Sequence, residues 1–148
     1  MQRGNDTING WTIDLLKIEE NDVLLEVGIS NGSTLNRIVN NTRVGKIWGL
    51  DLSNEMIKEA KKKNKKYIED GFVELHKGNI ISLPYTDSVF DKVLSVHTLY
   101  FWTDINQGFS EIHRVLKPGG KLFLSITINH KWKKCEGQKA LIYYTQTR

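Results

Sequence analysis

The sequence is short of the residues that define several classes of protein. It has one cysteine, Cys135, among 148 residues, so it cannot close an internal disulfide. Its four histidines, His76, His97, His113 and His130, are scattered, without the spacing of a metal site. No apolar run approaches the roughly 18 residues of a membrane span. The opening "MQRGNDTING" lacks the apolar core of a secretory signal, and together with the single cysteine this makes the cytoplasm the expected compartment. The two prolines, Pro84 and Pro118, lie between apolar runs, and no repeat, low-complexity tract or linker divides the chain. Residues 1–148 are therefore expected to form a single domain with a real core.

Charge excludes less. The net charge is +4, with lysines gathered in "KEAKKKNKKY" (58–67) and "HKWKK" (130–134). A solvated helix face and a polar tail account for both. Attraction to nucleic acid or an anionic membrane is the functional alternative. No aromatic residue interleaves with the first cluster before Tyr67, so a stacking platform for bases is not indicated. Neither nucleic acid nor membrane is expected as a partner.

What is present is an alternation of apolar patterns. "TINGWTIDLLKI" spaces Ile8, Trp11, Leu15 and Ile18 as a helix does, and "DVLLEV" reads as a buried strand. Ser33 or Asn31 is placed to cap a helix with Leu35, Ile38 and Val39 inward. "GKIWGLDL" is a second strand ending in an acid. Ser53 then caps a helix carrying Met56, Ile57 and Ala60 inward. "GFVELHKG" and "FDKVLSVHTLYF" read as the third and fourth strands. "DINQGFSEIHRVL" is helical, with Ile105, Phe109, Ile112, Val115 and Leu116 on one side; "KPGG" stops it, and "KLFLSITI" is the fifth strand. Strands alternating with helices predict an α/β, doubly wound, mostly parallel sheet. Such sheets bind ligands beyond the carboxyl ends of their strands, where the strand order reverses. If the first strand is central, that place is "LEVGISNG".

Two ligands compete for this loop. A dinucleotide requires G-x-G-x-x-G, but here the positions are Gly28, Ser30 and Ser33, and Glu26 is a poor neighbour for pyrophosphate. A ligand bringing an ammonium suits Glu26 better. S-adenosylmethionine, with an amino acid, a ribose, an adenine and no phosphate, is such a ligand. Alternatively, Glu26 only accepts hydrogen bonds from loop amides. Asp51, ending the second strand, is placed for ribose hydroxyls, since a carboxylate accepts from both. Both candidate ligands contain ribose, so Asp51 does not separate them.

"VLLEVGISNG", "IWGLDLSNEMI", "GNIISLPYTDSVFDKVLSVHTLYFW" and "EIHRVLKPGGKLFLS" together resemble the successive motifs of class I S-adenosylmethionine-dependent methyltransferases of the small-molecule type. The resemblance implies a Rossmann-like methyltransferase fold and methyl transfer to a small-molecule acceptor by in-line displacement. It implies that Glu26 faces the methionyl ammonium and that Gly28, Ser30 and Gly32 line the methionine and ribose. Asp51 would hold the ribose diol, Leu52 and Met56 would pack on adenine, and Asn79 and Ile80 would meet its edge. His97 would lie near the amino acid and the methyl group, as a cofactor contact and candidate base. Tyr100, Phe101 and Trp102 are the candidates for contact with the acceptor, with Tyr100 and Trp102 foremost; plain packing is the alternative.

The chain departs from this family in three places. Ser30 stands where a glycine is usual, and is expected at negative φ because Asn31 and Gly32 can carry the unusual backbone angles. Asn79 stands where aspartate is common. Past the fifth strand the family continues with a helix and an antiparallel strand pair, whereas here "ALIYYTQTR" suffices for one strand. Part of the antiparallel pair is thus expected to be missing. The fifth strand is expected to keep an exposed edge, through which a homodimer would form. A binding protein without turnover, and more distantly a nicotinamide-dependent oxidoreductase, are the alternative functions.

Overall fold

The computed structural model describes residues 13–128 and 138–145. A helical turn at 13–16 precedes strand β1 (Val23–Val27). Helix α1 (Ser33–Asn41), β2 (Lys46–Asp51), α2 (Asn54–Lys63), α3 (Lys65–Glu69) and β3 (Val73–Lys77) follow. Then come β4 (Phe90–Val96), a short 3-10 turn (Leu99–Phe101), α4 (Ile105–Val115), β5 (Leu116–Ile128) and β6 (Gln138–Thr145). The sheet order is β3-β2-β1-β4-β5-β6. The first five strands are parallel and β6 is antiparallel to β5. The doubly wound sheet expected from the alternating pattern is therefore present, and the strand order reverses between β1 and β4.

Adjacent strand residues point to opposite faces, so one strand feeds two cores. Leu24, Leu94 and Phe123 pack with Leu35 and Ile38 of α1 and with Ile57 and Ala60 of α2. Leu25, Val93 and Leu122 pack with Ile112 and Val115 of α4. Covering both faces is what permits a parallel sheet. Ser53 caps α2 as expected, its Oγ accepting from Met56 N at 3.3 Å. Lysines at 61–63 in the last turn suit the negative end of the helix dipole.

Several expectations need correction. The α1 N-cap is Gly32, at φ +76°, not Ser33 or Asn31; Asn31 Oδ1 instead accepts from the Ser33 amide at 3.1 Å. Ile105 is 48% exposed, and the inner face of α4 is Gly108, Ile112 and Val115. The fourth strand ends at Val96 because His97, at φ +55°, turns the chain into the 3-10 segment. The fifth strand starts at Leu116, with a register shift opposite Phe90 to Lys92 that absorbs Pro118 and Gly119. β6 pairs along β5 from Lys121↔Thr145 to Ile128↔Gln138. The expected exposed edge of the fifth strand is thus covered, and the sheet ends at β3 and β6. Ile8, Trp11, His130 and Cys135 lie outside the described residues. Among the described residues, no helix is long and apolar enough to cross a membrane, and no group of residues could hold a metal.

The amino end of the sheet is pinned by a buried ion pair. Lys92 on β4 contacts the Asp22 carboxylate just before β1 and also donates to Lys17 O at 3.0 Å. Asp22 O in turn accepts from Gly45 and Lys46 at the start of β2. Three elements therefore meet at one buried residue, β4 through the Asp22 carboxylate and β2 through its backbone carbonyl. Lys92→Met would leave that carboxylate without its cation and is expected to lower stability in urea unfolding by about 3–5 kcal/mol. Adding Asp22→Asn should recover part of the loss. A loss under about 1 kcal/mol would mean that Asp22 is solvated in place of its cation.

Candidate functional site

A cavity of ≈ 840 Å³ opens at the carboxyl ends of β1, β2 and β4, where the strand order reverses. This volume lies toward the upper end of the range of small-molecule sites. Its floor is the segment from Glu26 to Asn31. That loop stays attached to β2: the amides of Gly28 and Ile29 both donate to Leu50 O, at 2.7 and 3.2 Å. Gly28 sits at φ +75°, and a Cβ there would come within 2.2 Å of Thr98 Cγ2. Both conformation and space therefore require glycine.

Ser30 does not take the relaxed conformation expected of it. Its φ is +51°, in the left-handed region that costs a non-glycine residue about 1–2 kcal/mol. Gly32 carries a positive φ as expected, but Asn31 does not. Two bonds hold Ser30 in place: its amide donates to Asp51 Oδ2 at 2.9 Å, and its hydroxyl donates to Met56 Sδ at 3.6 Å.

Gly32 also differs from expectation, because it is not among the residues lining the cavity. A Cβ on it would lie 2.8 Å from Ala60 Cβ and 2.7 Å from Asn64 Nδ2. Asn64 donates to Gly32 O at 3.1 Å. Gly32 therefore lets α2 close against the start of α1 and is a packing residue.

Two carboxylates define one half of the cavity. Asp51 uses both oxygens on backbone amides, Oδ2 on Ser30 and Oδ1 on Ser53, each at 2.9 Å. Each oxygen retains a further acceptor position. Glu26 is only 3% exposed, and its Oε2 has no hydrogen-bond partner among the described residues. Burial, and secondarily the nearby charge of Asp51, push its carboxyl well above the usual carboxylate range. Glu26 is not needed to satisfy the loop. The amides of Gly28, Ile29, Ser30, Gly32 and Ser33 already have Leu50 O, Asp51, Ile29 O or Asn31 as acceptors. None of these five amides needs Glu26, which argues against the reading in which Glu26 only serves loop amides.

Leu52, Met56, Asn79, Ile80 and His97 also line the cavity. The Asn79 side chain accepts from Ile81 N at 3.2 Å, which fixes its orientation. His97 is anchored by its amide, which donates to Ser125 O at 2.8 Å. Trp102 lines the wall beyond β4. Tyr100 does not: it is 56% exposed and outside the lining, and the 3-10 turn brings its neighbour Phe101 there instead.

Lys63 and Thr98 are among the lining residues that the sequence pattern does not single out. Lys63 Nζ reaches the cavity wall and donates to Ser33 Oγ at 2.6 Å. Its lysine run reads as a solvated face, yet Lys63 is two helical turns from Met56 on the same face of α2, a usable signal. Thr98 joins the wall through contacts across the fold, and no local pattern reveals it. The resulting cavity has an acidic half at β1 and β2 and a mostly apolar half beyond β4. The first can accept hydrogen bonds from a cation and a diol.

Comparison with known proteins agrees with this fold. The methyltransferase domain family matches residues 25–124. The uncharacterized methyltransferase YdaC of Bacillus subtilis (strain 168) is 34% identical over 126 residues, covering 85% of this chain and 67% of that protein. The demethylmenaquinone methyltransferase of Lactobacillus johnsonii is 32% identical over 120 residues, covering 78% of this chain and 49% of the relative. The solved [4+2]-cyclase SpnF superposes with a TM-score of 0.80 at 24% identity, over 88% of this chain and 47% of that one, a likeness of fold. The chain thus spans about two thirds of YdaC and about half of the other two.

The raised Glu26 carboxyl has a stability consequence in the ligand-free protein. The folded state holds this proton more tightly than the unfolded chain, where a glutamate titrates near 4.3. The Glu26 contribution is therefore fully present below that value and is lost as pH rises through the raised folded value. Glu26→Gln cannot ionise. It should be more stable than the wild type at pH 8 by about 1–3 kcal/mol, with the gap closing toward pH 4. Parallel stability curves for the two proteins would contradict the assignment.

Proposed function

As the chain belongs to the methyltransferase domain family, we propose that it binds S-adenosylmethionine in this cavity and is a methyltransferase acting on a small-molecule acceptor. The observation that carries the proposal is the unpartnered Glu26 oxygen buried beside Asp51. An ammonium is the group that this oxygen lacks, and its charge would favour ionised Glu26 in a site of low dielectric. Asp51, with acceptor capacity left on both oxygens, suits the two hydroxyls of a ribose. Leu52, Met56 and Ile80 offer apolar surface for a purine, and the Asn79 backbone and amide lie at the same wall. The residues present therefore fit the ligand, and the two carboxylates Glu26 and Asp51 beside the glycine loop disfavour a pyrophosphate.

The bound donor would supply a methyl group on a good, neutral leaving group. The remaining task is alignment in a dry pocket, and alignment can supply up to roughly 7–11 kcal/mol of a barrier. The loop from Gly28 to Asn31 and the two carboxylates would fix the donor. His97, Phe101 and Trp102 would face the acceptor, with His97 taking a proton only from acceptors that must lose one. The wall formed by Val96, Phe101 and Trp102 carries no charge, which supports an acceptor that is largely apolar. The relatives include a demethylmenaquinone methyltransferase, which supports a small-molecule acceptor.

A second reading is retention of the cofactor without turnover. It is favoured by Ser30, held at φ +51° where close approach of the backbone to a ligand would suit glycine. Methyl transfer from radiolabelled S-adenosylmethionine to a panel of small acceptors separates the two readings.

S-adenosylhomocysteine, the demethylated product, should bind and stabilise the protein, by about 2.7 kcal/mol at a hundredfold excess over Kd. Asp51→Ala should weaken it more than tenfold, ~1.4 kcal/mol, because two charge-assisted bonds and the anchor of Ser30 disappear together. Asn79→Ala should cost less, since a single neutral bond is lost. Calorimetry that detects no binding at millimolar ligand would end the cofactor assignment.

A further inference from the structure

We infer that Thr98 is a positioning residue that couples the donor side of the cavity to its acceptor wall; the inference rests on the function proposed above. Thr98 lies just past β4, where three parts of the fold meet. Its methyl group fills the space over Gly28: a Cβ on that glycine would come within 2.2 Å of Thr98 Cγ2. Its hydroxyl pairs with Ser95 Oγ on β4, a residue with no solvent exposure. The same oxygen accepts from Trp102 Nε1 at 3.2 Å. Its carbonyl accepts from Phe101 N at 2.9 Å, which closes the 3-10 turn.

Trp102 is held from its other side as well. Its ring lies against Gly108 of α4, where a Cβ would be 2.8 Å from Trp102 Cε3. It also meets Phe109 edge-on at 5.5 Å. The indole N–H is thus the polar anchor of a ring otherwise seated by packing, and Thr98 holds that anchor. One side chain therefore presses its methyl against the glycine loop and grips the aromatic wall with its hydroxyl. In a reaction that depends on alignment, such a residue sets the separation between donor and acceptor. A threonine supplies both functions at once. Valine keeps the methyl contact and loses the grip, whereas serine keeps the grip and loses the methyl contact.

This separation gives the test. Protein carrying 5-fluorotryptophan has four fluorine resonances, one for each tryptophan, and Trp102→Phe identifies the Trp102 signal. In the wild type, S-adenosylhomocysteine should shift the Trp102 resonance. Thr98→Val should bind the ligand within about threefold of wild type by calorimetry, yet the Trp102 response should fall by more than half. Thr98→Ser should keep the response. If Thr98→Val fails to fold, Ser95→Ala, which leaves the Thr98 hydroxyl in place but removes the buried partner that orients it, should reduce the response to a smaller extent. Ligand binding with an unchanged Trp102 response in Thr98→Val, or equal behaviour of the valine and serine variants, would overturn the coupling alone. No binding to the wild type would overturn the proposed function, and the coupling with it.

Discussion

A buried carboxylate with an open oxygen is the constraint around which this site is organised. Glu26 lies one residue before the end of β1, with β2 on one side and β4 on the other, and it lines the cavity. Ionised and alone, it would oppose folding. Protonated, it has nothing to recognise. The ammonium of the proposed ligand would supply the missing charge, and the loop amides bonded to Leu50 O and Asp51 do not take up the Glu26 oxygen. The Leu50 carbonyl and Asp51 hold those amides instead, which leaves the Glu26 oxygen for a ligand.

The sheet topology places the second carboxylate. Parallel pairing sets Glu26 opposite Gly49 and Val27 opposite Leu50, so Asp51 follows immediately at the carboxyl end of β2. Gly49 has no side chain to compete for the space beneath: a Cβ there would lie within 2.9 Å of Ile29, Leu35 and Leu75. Asp51 then ties the loop after β1 to the start of α2 through Ser30 and Ser53. Ser30 takes its unfavourable angle inside this clamp. Strain of this kind is typical of ligand sites, where surrounding contacts over-determine one residue.

Much of this was legible in the sequence because the governing signals are local. The apolar runs that form β1 to β4, the Ser53 cap, and the acids ending β1 and β2 all follow from short-range pattern. The errors lie where distant contacts decide. Gly32 reads as a ligand glycine, but Ala60 and Asn64, far along the chain, make it a packing glycine. Tyr100 and Phe101 are equivalent in composition, and only the direction of the turn after His97 decides which one reaches the cavity. The edge of β5 reads as open because nothing local in "ALIYYTQTR" says how β6 will pair. Thr98 leaves no periodic trace, since its importance comes from Gly28, Ser95 and Trp102 converging on it.

The central claim is that Glu26 recognises the amino-acid end of the ligand. The most direct measurement compares S-adenosylhomocysteine with 5′-methylthioadenosine, which keeps the nucleoside and thioether but has no ammonium or carboxylate. Titration calorimetry on the wild type should favour S-adenosylhomocysteine at least tenfold, ~1.4 kcal/mol. In Glu26→Gln that preference should collapse, while affinity for 5′-methylthioadenosine stays close to the wild-type value. An equal preference in both proteins would contradict the account and return Glu26 to a structural role.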